Sequence, residues 1–92
     1  MAEAKRSLVH CRVARGFFDQ EWLVLVAGSS AFVNRENVQV REVPATGDVD
    51  GLVWAYVIDS KDDRTLIELP GQPVVGGKRT WIPKVDLQPA SV

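Results

Sequence analysis

Residues 52–69 have the sequence LVWAYVIDSKDDRTLIEL, and this stretch decides the fold. Its first seven residues are all apolar or aromatic, which is typical of a short strand that buries a large area. The polar segment 60–63 separates them from a second apolar stretch, 64–69. The two halves therefore predict an antiparallel hairpin with its turn at 60–63. An isolated hairpin is marginally stable in water, so further strands must pack with it.

Upstream of the hairpin, the sequence predicts three more strands. Apolar and polar residues alternate over 7–15, which indicates a strand with one face toward water. The run 21–27 is almost continuously apolar and ends at a Gly-Ser-Ser turn, so we expect a strand buried on both faces. Residues 31–33 form a brief third strand. Residues 35–42 allow either an extended segment or a helix, and three valines followed by Pro44 favour the extended form.

Turn-forming residues flank the hairpin on both sides. Residues 44–51 are rich in Pro, Gly, Thr and Asp and predict a loop before the first hairpin strand. After the second, a Pro- and Gly-rich connection leads to a strand at 78–82. Pro83 ends this strand because proline cannot donate a hydrogen bond to the ladder. Residues 84–87 form either one helical turn or a last short strand.

Five or six short strands at intervals of about ten residues predict an all-β domain, a small barrel. A small antiparallel β-sandwich and an OB-like barrel are the alternatives. We place a single domain at 7–87, between a flexible segment at 1–6 and a tail at 88–92. The strand order, the acidic hairpin tip and the closing sequence KRTWIPKVDL at 78–87 resemble the last part of SH3-like barrels. The resemblance implies a five- to six-stranded SH3-like barrel and includes no family-specific motif.

Composition restricts the class of protein. The chain has 92 residues, of which 46% are hydrophobic and 25% charged, with a formal net charge of −1. These values are typical of one soluble domain. The single Cys11 cannot form an intramolecular disulfide, which favours a reducing compartment, so we expect a cytoplasmic protein. The longest apolar run, 52–58, is far shorter than the ~20 residues of a membrane-spanning helix, so we expect no membrane partner.

Catalytic and cofactor motifs fail on spacing. His10 and Cys11 are neighbours on a predicted strand and point to opposite faces, so they cannot form a Cys-His dyad. The glycine-rich segment 71–80 lacks the spacing of a phosphate-binding loop. Residues 48–51 resemble part of a calcium loop, but Val57 stands where the bidentate Glu belongs. We therefore predict no catalytic residues, no metal and no cofactor, and a protein that is not an enzyme.

The apolar strands suggest an interaction surface. A barrel of this size has one interior, and each strand turns one face toward it. Residues 21–27 and 52–58 are apolar on both faces, so something outside the barrel core must cover the face that points away from it. A two-layer fold that buries both faces itself is the structural alternative. Because exposed apolar area on a soluble protein is usually an interface, we expect a binding or assembly module. Its partner is another protein or a second copy of the chain, and a dimer is the oligomer that we expect first. The predicted partner-binding residues are aromatic: Phe17, Phe18, Trp54, Tyr56 and Trp81.

Nucleic-acid binding is the alternative function. Small barrels bind nucleic acids through stacking rings and cations that contact phosphate. The cations predicted for this role are Arg12, Arg15, Lys78 and Arg79. Against this reading, a nucleic-acid binder usually has a clearly basic total charge, and this chain has 11 Lys and Arg against 12 Asp and Glu.

Overall fold

The computed structural model of the chain describes residues 5–88, and these form one antiparallel sheet with no α-helix. The sheet contains nine strands: β1 Lys5–Arg15, β2 Glu21–Val26, β3 Ser29–Asn34, β4 Val38–Val40, β5 Asp48–Lys61, β6 Arg64–Glu68, β7 Gln72–Val75, β8 Arg79–Pro83 and β9 Leu87–Gln88. Two single-turn 3-10 helices, Arg35–Asn37 and Lys84–Asp86, precede β4 and β9. The prediction of an all-β fold is confirmed.

The sheet curls into a half-barrel around the two long strands β1 and β5. Its strands are hydrogen-bonded in the order β7-β3-β2-β1-β5-β6-β8, while β4 pairs with β5 and β9 with β1. Strands β1 and β5 are antiparallel from Lys5↔Val57 to Ala14↔Asp48. This long ladder is the centre of a small barrel-like fold. It explains why the stretch at 52–69, which supplies most of β5 and all of β6, decides the architecture.

The core lies on the inner face of the curled sheet. Because successive side chains on a strand point to opposite faces, alternate residues of each strand enter it. Val9 and Val13 of β1, Val53 of β5 and Ile67 of β6 are completely buried. β-Branched side chains suit this position, since they pack well on a pleated surface. The buried valines of β1 and β5 and Ile67 of β6 therefore share one interior.

Strand β5 is longer than the sequence predicted. It begins at Asp48, within the stretch expected to be a loop, and it pairs there with β1. Gly51 permits this pairing at a crowded point, because a Cβ atom there would lie 2.7 Å from Cγ2 of Val13. At the other end β5 continues to Lys61, so the turn to β6 comprises only Asp62 and Asp63. The hairpin itself is confirmed by the β5–β6 ladder.

Strand β7 was not predicted, because Pro73 and the surrounding glycines indicated a connection. The strand pairs with β3 from Phe32↔Gln72 to Ser30↔Val75, with an irregularity between. Gly71 begins this segment with φ +93, a left-handed conformation that favours glycine. A Cβ atom at Gly71 would lie 2.0 Å from the carbonyl oxygen of Phe32. Strand β7 therefore depends on the close approach of the backbones at Gly71 and Phe32. A pattern of apolar residues in the sequence does not predict it.

Two further expectations need correction. Strand β2 is buried on one face only: Trp22, Val24 and Val26 enter the core, whereas Leu25 is 36% exposed on the other side. An apolar run need not be covered on both faces, because a small domain leaves some apolar residues in water. Strand β1 begins at Lys5, two residues before the predicted start of the first strand, while 1–4 and 89–92 lie outside the described residues.

The segment 35–42 is mainly extended, as the valines indicated. The 3-10 turn Arg35–Asn37 occupies its start, and β4 follows at Val38–Val40. Val38 is buried opposite Val53 of β5. The helical alternative for the whole segment is wrong. Residues 84–87 were expected to form either one helical turn or a last short strand. The structure contains both, because the 3-10 turn Lys84–Asp86 leads directly into β9.

Candidate functional site

Two adjacent phenylalanines stand in the turn between β1 and β2. Phe17 is 84% exposed and Phe18 is 73% exposed. The ring of Phe17 leans on that of Phe32, with 5.3 Å between the ring centroids and 44° between the ring planes. Phe32 belongs to β3 and faces away from the core, because its neighbours Ala31 and Val33 are buried in it. The turn thus continues onto the outer face of the sheet.

Strands β2, β3 and β7 extend this apolar surface. In the register of the sheet, Leu25 of β2 stands opposite Ser30 of β3, and Ser30 stands opposite Val75 of β7. Leu25 is 36% exposed and Val75 is 59% exposed. We call four exposed apolar residues of this region and the partly buried Phe32 the phenylalanine patch, and it comprises Phe17, Phe18, Leu25, Phe32 and Val75.

The predicted tryptophan and tyrosine residues lie elsewhere. Trp54 and Tyr56 occupy consecutive outward positions on β5 and are partly buried. Trp81 is 38% exposed on β8, two strands away from β5. The five aromatic residues predicted to bind a partner therefore belong to different surfaces: Phe17 and Phe18 at β2 and β3, and the other three across β5 and β8.

A groove runs beside Trp54. It is lined by Arg6 of β1, Trp54 of β5 and Glu36 and Asn37 of the first 3-10 turn, and its volume is about 460 Å³. The guanidinium carbon of Arg6 lies 5.2 Å from the centre of the Trp54 ring and 6.0 Å from that of Tyr56. Nη2 of Arg6 donates a hydrogen bond to Oδ1 of Asn37 at 3.3 Å. We call this feature the tryptophan groove.

Two of the four predicted phosphate contacts already have carboxylate partners. Nε of Arg12 donates to Oδ1 of Asp48 at 2.7 Å, and Nη1 donates to the carboxylate of Asp50. These two hydrogen bonds raise the pKa of the Arg12 guanidinium, and the bond to Asp48 has the larger effect. Nε of Arg79 donates to Oε1 of Glu68 at 2.9 Å. Each cation is thus compensated by a neighbouring strand.

The other two predicted cations are exposed and separate from each other. Arg15 ends β1, and Lys78 precedes β8. Neither forms an ion pair within residues 5–88. Strands β1 and β8 are three positions apart in the sheet. The structure therefore does not gather the four cations into one basic surface.

A cleft with a volume of about 650 Å³ lies on the outer side of β1 and β5. His10 lies in it, and its Nε2 is 3.3 Å from Nε2 of Gln88. The ion pairs of Arg12 with Asp48 and Asp50 form another part of its wall. Among residues 5–88, no serine, threonine, cysteine or lysine lines this cleft. The polar side chains that share it with His10 are carboxylates, guanidinium groups and the amides of Gln39 and Gln88.

Cys11 faces the core, on the opposite side of β1 from His10, as predicted. The thiol is buried, and this burial, with the nearby charge of Asp50 as a smaller cause, raises its pKa to about 12. At neutral pH the group is therefore a protonated thiol, and the thiolate is the reactive form. The geometry also excludes a Cys-His dyad.

We expect Cys11 to resist a thiol-specific disulfide reagent at pH 8 in the folded chain and to react within seconds in denaturant. The pKa of the Cys11 thiol is higher in the folded chain than in the unfolded chain, where it is near 9. The buried protonated thiol therefore contributes fully to stability below pH 9, and this contribution is lost as the pH rises toward 12. The measurement is the rate of colour release with and without denaturant. Equal rates in the two conditions would contradict the burial of the thiol.

The sequence did not identify several residues of these surfaces. Phe32 joins the phenylalanine patch through its contact with Phe17, and Val75 joins it because β7 pairs with β3. The sequence would have placed Leu25 on the outer face if only Trp22, Val24 and Val26 of β2 had been assigned to the core. Glu36 and Asn37 border the tryptophan groove because they lie in the 3-10 turn, within the segment for which the sequence allowed either an extended or a helical form.

Comparison with protein-family models, with curated proteins and with solved structures gives no match. Among residues 5–88, no helix has the length and apolar character needed to cross a membrane. Within the same range, no three His, Cys, Asp or Glu side chains are grouped so that they could hold a metal ion. The phenylalanine patch and the tryptophan groove are the two candidate functional surfaces.

Proposed function

We propose that this chain is a non-enzymatic assembly module with an SH3-like barrel architecture, and that it forms a homodimer through the phenylalanine patch. The observation that carries the proposal is the exposure of two adjacent phenylalanines, 84% at Phe17 and 73% at Phe18. Exposed apolar patches on soluble proteins commonly mark interaction sites. Aromatic side chains also contribute much of the binding energy of protein interfaces.

The apolar area of the patch supports a dimer of ordinary size. With about 200 Å² per aromatic side chain, Phe17 and Phe18 together expose roughly 300 Å². Leu25 and Val75 add roughly 100 Å². A standard interface buries about 800 Å² on each partner, of which a little over half is apolar. The patch therefore supplies most of the apolar area that one side of such an interface needs.

The character of the surface favours a second copy as the partner. The paired outward residues of β2, β3 and β7 between Phe32 and Val75 include no charged side chain, so two copies meet without like-charge repulsion. Two-fold dimers, in which the same patch is used twice, are the commonest oligomers. Pro73 removes a backbone donor from the terminal strand β7, which disfavours strand addition at this edge. The contact is therefore through the faces of the sheets.

Replacing Phe17 and Phe18 together with serine tests the proposal. We expect the unmodified chain to show a concentration-dependent dimer by size-exclusion chromatography with light scattering. In Phe17→Ser/Phe18→Ser the dissociation constant rises at least about 100-fold, because two anchors of an interface are removed. The matched control is Val85→Ser, since Val85 is also 84% exposed but lies in the second 3-10 turn. Equal dissociation constants for all three chains would contradict the proposal.

The nucleic-acid alternative has weaker support. Arg12 and Arg79, which were expected to contact phosphate, are held by carboxylates of neighbouring strands. Electrostatic binding to nucleic acid depends on cations that are free to replace counterions. Of the four predicted cations, Arg15 is near Phe17 in sequence and is exposed, but Lys78 lies three strands away from β1, so the structure brings no second free cation of this set to the phenylalanines. We therefore retain the assembly module as the proposed function.

A further inference from the structure

The outer face of β5 already holds one guanidinium group. Arg6 stands opposite Tyr56 in the β1–β5 ladder, and its guanidinium carbon lies 5.2 Å from the centre of the Trp54 ring. The second ring, Tyr56, is 6.0 Å away. A cation within about 6 Å of a ring centre is attracted by the electron-rich face, most strongly for tryptophan. The two rings therefore form a surface that recognises a planar cation.

The groove beside Trp54 contains an acidic group that Arg6 does not use. Glu36 borders the groove together with Arg6, Asn37 and Trp54. Its side chain is exposed and makes no ion pair within residues 5–88. Arginine can pair with a carboxylate through two parallel hydrogen bonds and can stack on an aromatic ring. An aromatic ring and an exposed carboxylate that line the same groove are the two groups that a bound arginine needs.

We propose that the tryptophan groove binds the guanidinium group of an arginine side chain from a protein partner, and that Arg6 occupies this place in the free chain. The bound guanidinium stacks on Trp54 and pairs with Glu36, while Asn37 offers an amide oxygen. This site does not depend on the phenylalanine patch, which lies on β2, β3 and β7. The two surfaces can therefore be tested separately.

Arg6 is suited to be displaced. It is exposed, and its one side-chain hydrogen bond within residues 5–88 is a long one, 3.3 Å to Asn37. Contacts between a cation and a ring at exposed sites are weak. Displacement leaves the guanidinium of Arg6 in water, where it is fully solvated. A ligand that also pairs with Glu36 replaces every contact that Arg6 loses.

The test uses N-acetyl-arginine amide as the probe and the NMR signal of the Trp54 indole N–H as the reporter. We expect Arg6→Ala to bind the probe in the millimolar range, and the unmodified chain to bind it about fivefold more weakly, because Arg6 competes. Arg15→Ala removes a cation from the far end of the same strand and serves as the control. It should match the unmodified chain.

Two further measurements identify the chemistry of the site. Glu36→Gln in the Arg6→Ala chain should weaken binding severalfold, while N-acetyl-citrulline amide, which is neutral, should not shift the Trp54 signal at the same concentrations. The same results are expected in the Phe17→Ser/Phe18→Ser background, which separates this site from dimer formation. No shift in Arg6→Ala, equal affinity with and without Arg6, or an equal shift with the citrulline probe would overturn the proposal.

Discussion

Ile67→Ala lowers the free energy of unfolding by about 3–4 kcal/mol. Ile67 is completely buried on β6, where it stands between Val57 of β5 and Thr80 of β8. Truncation removes its apolar contacts and leaves a cavity that neighbouring strands cannot fill, because both are fixed by their ladders. A domain of this length has a total stability of roughly 5–14 kcal/mol. The change is therefore a large part of the whole, and urea denaturation followed by tryptophan fluorescence measures it.

The matched control for this prediction is Ile58→Ala. Ile58 lies on β5 at the irregularity in the β5–β6 ladder and is 37% exposed. Because its side chain is already partly in water, we expect a loss below about 1 kcal/mol. Similar losses for the two variants would show that β6 does not form the centre of the core.

Gly71→Ala separates β7 from β3 and destabilises the chain by at least about 2–3 kcal/mol. The substituted residue would have to keep φ at +93 and place its Cβ 2.0 Å from the carbonyl oxygen of Phe32. Because the colliding atom belongs to the backbone, the segment must move away. Hydrogen exchange should show faster exchange in β3 and β7 than in β1 and β5. The dimer should weaken as well, since Val75 leaves the phenylalanine patch.

Gly47→Ala is the control for the effect of backbone conformation alone. Gly47 also has a positive φ, +68, but no atom lies within 4 Å of a Cβ built there. We expect a loss of about 1 kcal/mol, which is the ordinary cost of a left-handed alanine. If Gly71→Ala were as mild as Gly47→Ala, the close approach of β7 to β3 would be wrong.

Local sequence patterns predicted the strands that make continuous ladders. Alternation over 7–15 and the apolar run 52–58 correspond to β1 and β5, and both follow from the period of two in a strand. Strand β7 could not be predicted in this way, because its formation depends on the contact of Gly71 with the backbone of Phe32. Pro73 in the same segment argued against a strand.

The candidate site was only partly predictable for a related reason. Phe17 and Phe18 are exposed because they lie in a tight turn, and a turn with two phenylalanines is visible in the sequence. The ion pairs of Arg12 with Asp48 and Asp50 depend on the β1–β5 register, in which Arg12 stands opposite Asp50. Such a register joins residues far apart in the chain. Composition therefore showed the cations but not their partners.

The two proposed surfaces are formed by different strands. The phenylalanine patch lies on the outer side of β2, β3 and β7, whereas the tryptophan groove lies between β1, β5 and the first 3-10 turn. Glu36 and Gln20 line one small hollow, and Gln20 follows Phe18 by two residues, so the Phe17→Ser/Phe18→Ser background is needed to separate the two surfaces. Two arginine sites on one dimer would increase the apparent affinity for a partner that carries two arginines at a suitable distance.

Isotope-filtered NMR on a mixture of labelled and unlabelled chains tests the dimer most directly. The experiment detects contacts between copies and ignores contacts within one copy. We predict intermolecular signals between the rings of Phe17 and Phe18 in one copy and the methyl groups of Leu25 and Val75 in the other. An absence of intermolecular signals at millimolar concentration, or signals confined to residues outside the phenylalanine patch, would contradict the account.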